Sequence, residues 1–299
     1  MYWKVLNDQK LHHGFQWKAG LNVLERPFNN DVLQECVPDR LYYCTQEQIH
    51  NWLYLGNHIQ RIYEPTDDPL FQSVSFRDKK GANRMILDSR VWSLSDSKTF
   101  EMLGLRMTDF DHLFYKAYQN ENIEFLDTWV TEYMKDTGVP FECSEQLMCE
   151  AFTRGHINIL NWWLEQKQKH GIKLYVSHYV VGEACANGHV VVLDWWMNAF
   201  QKGNIPSLAY SESVMNYASK HANFNVLDWW MQRYLNKDIP ELKYSSKSMD
   251  WADVMGHIQV LDWWLDQHKK HGLPLKYSNI GHYTAWWKEN AAQLPPSSV

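Results

Sequence analysis

At 299 residues the chain has room for two ordinary domains, or for one domain followed by a stack of repeats. A net charge of -6 offers no basic field to a phosphate backbone, which argues against nucleic-acid binding, and no apolar run approaches the length of a membrane-spanning helix. Five cysteines without CxxC spacing read as reduced thiols rather than a disulfide framework or a zinc site, and the first residues lack the apolar core of a secretion signal. The expectation is a soluble, intracellular protein with no cofactor and no metal.

Residues 1–94 alternate short apolar segments with turn residues. Tyr2 to Leu6, Phe15 to Lys18, Leu21 to Leu24, Leu41 to Cys44, Ile59 to Tyr63, Val74 to Phe76 and Met85 to Leu87 are aromatic or β-branched runs bounded by Gly, Pro, Asn or Asp, and they predict strands. One helix is predicted between them, capped by Thr45 with Gln48 three residues on and closed by Gly56. The result is a small α+β domain. His12 and His13 with Cys36 and Cys44 match no familiar metal spacing, and they read as exposed histidines and buried thiols. The order of strand, helix and returning strand ending in Glu64-Pro65 resembles part of the ADP-ribosyltransferase fold. That resemblance implies an enzymatic alternative in which Tyr42, Tyr43 and Glu64 would be the residues to test. Ser95-Asp96-Ser97, then Thr99 to Leu103 and Gly104, predict a short capped helix at the joint between this domain and the rest of the chain.

From residue 95 to about 290 a single motif dominates. Leu160-Asn161-Trp162-Trp163, Leu193-Asp194-Trp195-Trp196, Leu227-Asp228-Trp229-Trp230 and Leu261-Asp262-Trp263-Trp264 recur at steps of 33 or 34 residues, with a worn copy at Leu126-Asp127-Thr128-Trp129. A fixed period of that length is the mark of a stacked repeat. Nine residues before each leucine stands Ala117, Ala151, Ala184, Ala218 or Ala252. Five before it stand Gly155, Gly188, Ala222 or Gly256, and sixteen before it Ser144, Ser177, Ser211 or Ser245. Each repeat therefore holds two helices. The serine caps the first, the glycine ends it in a left-handed conformation, and His156, His189 or His257 opens the turn into the second.

In the second helix, apolar residues at -3, 0, +3 and +4 about the motif leucine form a core stripe, which assigns Leu160, Trp163, Leu193, Trp196, Leu227, Trp230, Leu261 and Trp264 to structure. A second stripe at -1 and +2 places the first tryptophan of each pair nearer the seam between repeats or the outer face. The motif aspartate or asparagine faces outward between the stripes, where it is placed to accept a hydrogen bond from an indole N–H or from a loop in an adjoining repeat. The histidines fall one per layer and do not converge on a metal. Residues 278–289 predict a closing helix, and residues 291–299 an irregular tail.

The period, the paired helices and the Ala-x-x-x-Gly-His turns resemble the ankyrin repeat, although the Thr-Pro-Leu-His opening is replaced by segments such as Pro240-Glu241-Leu242-Lys243-Tyr244-Ser245. The Asp-Trp-Trp helix and the Leu-Lys-Tyr-Ser lead-in are closer to the divergent ankyrin proteins of giant DNA viruses of the mimivirus type. Many of these begin with a segment similar to residues 1–90, including Gly20-Leu21-Asn22-Val23-Leu24 and Leu41-Tyr42-Tyr43. The resemblance implies a mostly α fold, an ankyrin-like helical solenoid preceded by a small α+β domain. It also implies a non-enzymatic interaction module that holds a host or viral protein, in the cytoplasm of the infected cell or on the virion. Position in the repeat puts His178, Tyr179, Tyr210, Glu212, Tyr244 and Lys247 on the binding face. Two rival readings are the ADP-ribosyltransferase-like enzyme targeted by the repeats and a self-assembling component that homo-oligomerises through the N-terminal domain or an exposed tryptophan stripe.

Overall fold

The computed structural model describes residues 1–278 and 284–294. The chain groups into two compact units, Met1–Val139 and Pro140–Val299.

The first unit begins with an antiparallel sheet. Its strands are β1 (Tyr2–Leu6), β4 (Gly20–Val23), β5 (Leu41–Thr45), β6 (His58–Tyr63), β7 (Ser73–Ser75), β8 (Lys80–Ala82), β9 (Arg84–Leu87) and β10 (Trp92–Ser93), with a separate two-residue hairpin of β2 (Leu11–His12) and β3 (Phe15–Gln16). The order is β4-β9-β6-β1-β5-β8-β7, and β10 shares one edge of β6 with β9. In the long central pair, Tyr2 lies opposite Ile62 and Leu6 opposite His58. Leu6, Trp17, Leu41, Tyr43, Ile62, Ala82, Met85 and Leu87 make the core. All seven predicted strands are present within a residue or two of their expected ends.

The predicted helix after Thr45 is instead two single 3-10 turns, Ile49–Asn51 and Leu53–Leu55. Thr45 is still in the strand. Gln48 Oε1 accepts from its backbone N–H at 3.0 Å, so one half of the capping box forms without the helix. Gly56 then lies so close to β1 that a β-carbon there would sit 2.1 Å from the Leu6 carbonyl oxygen, and this backbone approach stops the segment. Three α-helices complete the unit: α1 (Ser97–Leu103), α2 (Asp111–Gln119) and α3 (Ile123–Thr137). The first is capped by Asp96, whose side chain accepts from Lys98 N–H, and ends at left-handed Gly104, as its sequence predicts. The worn motif copy lies in α3, within this first unit.

The second unit is built of helix pairs: α4 (Glu145–Arg154) with α5 (Ile157–His170), α6 (His178–Ala186) with α7 (Val190–Gln201), α8 (Ser213–Lys220) with α9 (Phe224–Leu235), and α10 (Lys247–Val254) with α11 (Ile258–His271). A short helix α12 (Trp286–Asn290) follows, and a 3-10 turn Ala291–Gln293. Helices α4, α6, α8 and α10 pack each on the next, and α5, α7 and α9 do likewise. Part of the predicted closing helix, residues 279–283, and the end of the tail, residues 295–299, lie outside the described residues.

The motif residues do what their spacing requires. Leu160, Leu193, Leu227, Leu261, Trp163, Trp196, Trp230 and Trp264 are all fully buried. Burying a large aromatic or aliphatic side chain of this kind stabilises a fold by about 1.5–3 kcal/mol each, so this column is the principal source of the unit's cohesion. Gly155, Gly188 and Gly256 have φ of 74°, 77° and 72°, and Ala222 takes the same left-handed turn at 54°. The serine caps are only half realised. Ser144 and Ser177 accept from Leu147 and Val180 N–H, but α8 and α10 begin two residues further on, at Ser213 and Lys247. Ser211 Oγ instead accepts from Ser213 N–H at 3.3 Å, and Ser245 is engaged by Asn216, whose amide donates to Ser245 Oγ at 2.9 Å and whose oxygen accepts from Ser245 N–H at 3.2 Å. Ser245 is thus tied to the preceding repeat, and α10 starts without a side-chain cap.

Candidate functional site

The seams between repeats come first, because they decide which side chains are left to meet a partner. Trp195 Nε1 donates to Asn161 Oδ1 at 3.2 Å, Trp229 to Asp194 at 2.8 Å, Trp263 to Asp228 at 2.7 Å and Trp286 to Asp262 at 2.6 Å. The recurring geometry is one indole per layer tied to the carboxylate or amide of the layer before it. It accounts for the polar residue between two apolar stripes. The last rung breaks the period, since Trp286 lies 24 residues after Asp262 where the inner rungs span 34 or 35. Helix α12 therefore closes the ladder from outside the repeat frame.

A second ladder runs through the lead-in tyrosines, and it corrects two of the expected binding residues. Tyr210 and Tyr244 are buried. Their rings lie 5.0 Å from Trp230 and 4.8 Å from Trp264, and their hydroxyls donate forward to the Glu241 and Pro274 carbonyls at 2.9 and 2.6 Å. Burial pushes both phenols above their usual pKa. A tyrosine gives a large apolar ring with one polar tip, which suits a packed loop whose carbonyls need donors. These two residues are spent on joining loops and are withdrawn from the surface.

The other four converge. His178, Tyr179, Glu212 and Lys247 line one groove of about 210 Å³, together with Tyr217 and Trp251. His178 and Tyr179 start α6, Glu212 precedes α8 and Lys247 starts α10, so the groove runs across three successive first helices. Its floor is the Tyr217–Trp251 stack, with ring centres 5.9 Å apart and planes within 9°. The Lys220 and Lys247 ammonium groups lie 5.5 and 5.6 Å from the Trp251 ring centre. Tyr179 is about half exposed, and the neighbouring Glu183 carboxylate raises its pKa. The groove thus offers flat aromatic surface flanked by both signs of charge. Periodicity alone does not single out Tyr217 and Trp251. A signal is nonetheless present, since they occupy equivalent places where the earlier copies carry Glu150 and Glu183.

Of the turn histidines, His189 is packed into the neighbouring layer. His189 is hydrogen-bonded through Nε2 to the Thr153 carbonyl at 2.9 Å, with its ring against Gly155, and Asn223 in the next copy donates to the Cys185 and Ala186 carbonyls. Among the described residues, no three His, Cys, Asp or Glu side chains converge as a metal site. In the first unit, Glu64 accepts from Tyr43 at 2.6 Å and pairs with Lys80 at 2.6 Å, while Tyr42 and Tyr43 both line a cavity of which Glu64 is not a lining residue. Of the two cysteines read as buried there, Cys44 is and Cys36 is exposed. No helix among the described residues is long and apolar enough to cross a membrane.

Comparison with known proteins now bears on these features. Uncharacterized protein R869 of Acanthamoeba polyphaga mimivirus is 41% identical over 104 residues, a stretch covering 34% of this chain and 75% of that protein. Two further proteins of the same virus, R868 and R896, are named as candidate ankyrin repeat proteins. They match at 39% and 30% identity over 34% and 41% of this chain. The chain belongs to the mimivirus-type ankyrin-like family. It spans 52% of the length of R868 and 38% of R896. No protein-family profile and no solved structure matches it. In the present chain the indole-to-carboxylate rungs give the polar residue and the first tryptophan of the Leu-Asp-Trp-Trp motif a structural role.

Proposed function

We propose that helices α4 to α11 form an ankyrin-like solenoid that acts as an interaction module, holding a segment of a viral or host protein in the infected cell. The observation that carries this reading is the convergence of His178, Tyr179, Glu212 and Lys247, with Tyr217 and Trp251, on one groove across three first helices. The regular inner positions are consumed by rungs and loop bonds, whereas the groove positions differ from copy to copy, and stacked repeats place their specificity at such positions. Aromatic residues at the centre of a patch, with charged residues at its rim, are also where binding energy concentrates.

The test is site-specific photocrosslinking in infected cells. A benzoylphenylalanine residue replacing Tyr179 is compared with one replacing Gln168, which is exposed on α5. A defined adduct from position 179 and none from 168 is the expected result, and Trp251→Ala should abolish it. Equal adducts at both positions would place binding elsewhere, and adducts between two copies of the chain would favour the self-assembling component.

A further inference from the structure

The sheet unit holds a cavity of about 410 Å³ lined by Trp3, Lys4, His12, Tyr42, Trp52 and Lys79 among others. Its volume is that of a small-molecule site, and its wall is mostly apolar. Two features set it apart from a packing defect. Lys4 and Lys79 are both more than nine-tenths buried, and among the described residues neither makes an ion pair with a carboxylate. Their polar partners are neutral or weak. Lys4 Nζ lies 3.0 Å from His12 Nδ1, and Lys79 Nζ lies 3.0 Å from Cys36 Sγ. Aromatic faces supply the rest, with Lys79 Nζ 5.0 Å from the Trp52 ring centre and 5.4 Å from Tyr42, and Lys4 Nζ 5.0 Å from Trp17.

Burying an ammonium without an opposite charge is costly, so a lysine in such a place either gives up its proton readily or is stabilised by an anion that enters beside it. The same chain shows the ordinary solution nearby, where Lys80 is paired to Glu64. Burial holds the Lys4 amine down to about 7, and His12, pressed by burial and by the Lys4 and Lys79 charges, is held down to about 3 and is neutral. Asp78 influences the Cys44 thiol but pairs with neither lysine. The cavity therefore lacks negative charge and offers flat apolar walls.

We propose that this cavity binds a small organic anion, a carboxylate on a flat apolar body, with Lys4 and Lys79 taking the charge and Trp3, Tyr42 and Trp52 enclosing the body. Isothermal titration of the full chain with benzoate, indole-3-carboxylate, the neutral isostere benzamide and inorganic phosphate tests it. Both carboxylates should bind; benzamide should bind at least about ten-fold more weakly because it forgoes the charge-assisted hydrogen bonds, and phosphate at least about ten-fold more weakly because it has no apolar body to bury against the aromatic walls. Lys4→Met with Lys79→Met should weaken benzoate at least about ten-fold and leave benzamide unchanged. Because that double variant changes buried groups, the unmodified chain gives a second readout. Nuclear Overhauser contacts from the benzoate ring should reach the Trp3 and Trp52 indole protons. Equal binding of benzoate and benzamide, tighter binding of phosphate, contacts to other aromatic residues, or no binding by any probe at about 10 mM would each overturn the proposal.

Discussion

Trp229 donates its indole N–H to Asp194 Oδ1 at 2.8 Å, and the same carboxylate oxygen accepts from the Arg233 guanidinium at 2.9 Å. One residue of α7 thus anchors two of α9. A hydrogen bond to a charged group contributes about 1.5–3 kcal/mol, and the Asp194 side chain is nearly half exposed, so the lower end applies. Asp194→Ala should cost about 1.5 kcal/mol in urea unfolding. Trp229→Phe should cost clearly less in the Asp194→Ala background than in the wild type. Additive losses would show that the rung contributes geometry without energy.

A second prediction uses one turn position in two copies. Ala222 holds φ 54°, and a non-glycine residue in the left-handed region costs about 1–2 kcal/mol. Ala222→Gly should therefore raise stability, by about 0.5–1 kcal/mol after the greater backbone entropy of glycine is subtracted. Gly155→Ala should do the reverse and more. It adds the same strain at φ 74°, and its new β-carbon would sit 2.8 Å from His189 Nδ1. Thermal melts of both variants check the sign; two shifts in the same direction would contradict the reading.

The physical basis of these positions also explains how much the sequence disclosed. Period and pattern are properties of backbone and burial, so Leu193, Trp196 and Gly188 could be read from spacing, whereas for Asp194 spacing gave an acceptor and left its donor open between an indole and a loop. The seven strands were legible for the same reason. Tyr210 and Tyr244 were not, because a regular tyrosine in a loop has the same spacing whether its hydroxyl meets water or the carbonyl of the next loop. The Thr45 segment failed through a distant contact, Gly56 against Leu6, which no local capping signal reports. Tyr217 and Trp251 carry no periodic signal, because they are departures from the pattern that the other copies share. The Lys4 and Lys79 cavity is set by strand pairing between segments far apart in the chain.

Acidity should act on the sheet unit through Lys4. Its amine is lowered by burial from 10.5 to about 7, so between those values the unfolded chain binds a proton that the folded chain does not. Stability from this residue is present above pH 10.5 and is lost as pH falls through 7. Cys44 works in the opposite sense above pH 9, since burial lifts its thiol from 9.0 to about 12. The clean window is therefore pH 7 to 9. Across it the stability difference between wild type and Lys4→Met should grow by about 1–2 kcal/mol in favour of the wild type. Parallel curves over that window would mean that the Lys4 amine stays charged in the fold.

The last prediction concerns the inner tryptophans, whose N–H groups lie deep in the core. Trp230 Nε1 donates to Cys185 Sγ at 3.3 Å and Trp264 Nε1 to Ser219 Oγ at 3.0 Å, equivalent contacts one repeat apart. In the preceding copy the acceptor position is Phe152, and Trp196 Nε1 has no hydrogen-bond partner among the described residues. The fold evidently uses whichever acceptor the position carries. Cys185→Ser reproduces the Ser219 arrangement and should change stability by less than about 1 kcal/mol. Cys185→Ala removes the acceptor, leaves a buried indole N–H unpaired and should cost about 1–3 kcal/mol. Cys185 is fully buried and its thiol is pushed up to about 12, so in the native wild type it should resist a thiol reagent that labels exposed Cys36. If the serine variant lost as much stability as the alanine variant, the contribution of Cys185 would lie in its volume, and the sulfur–indole contact would be incidental to the packing.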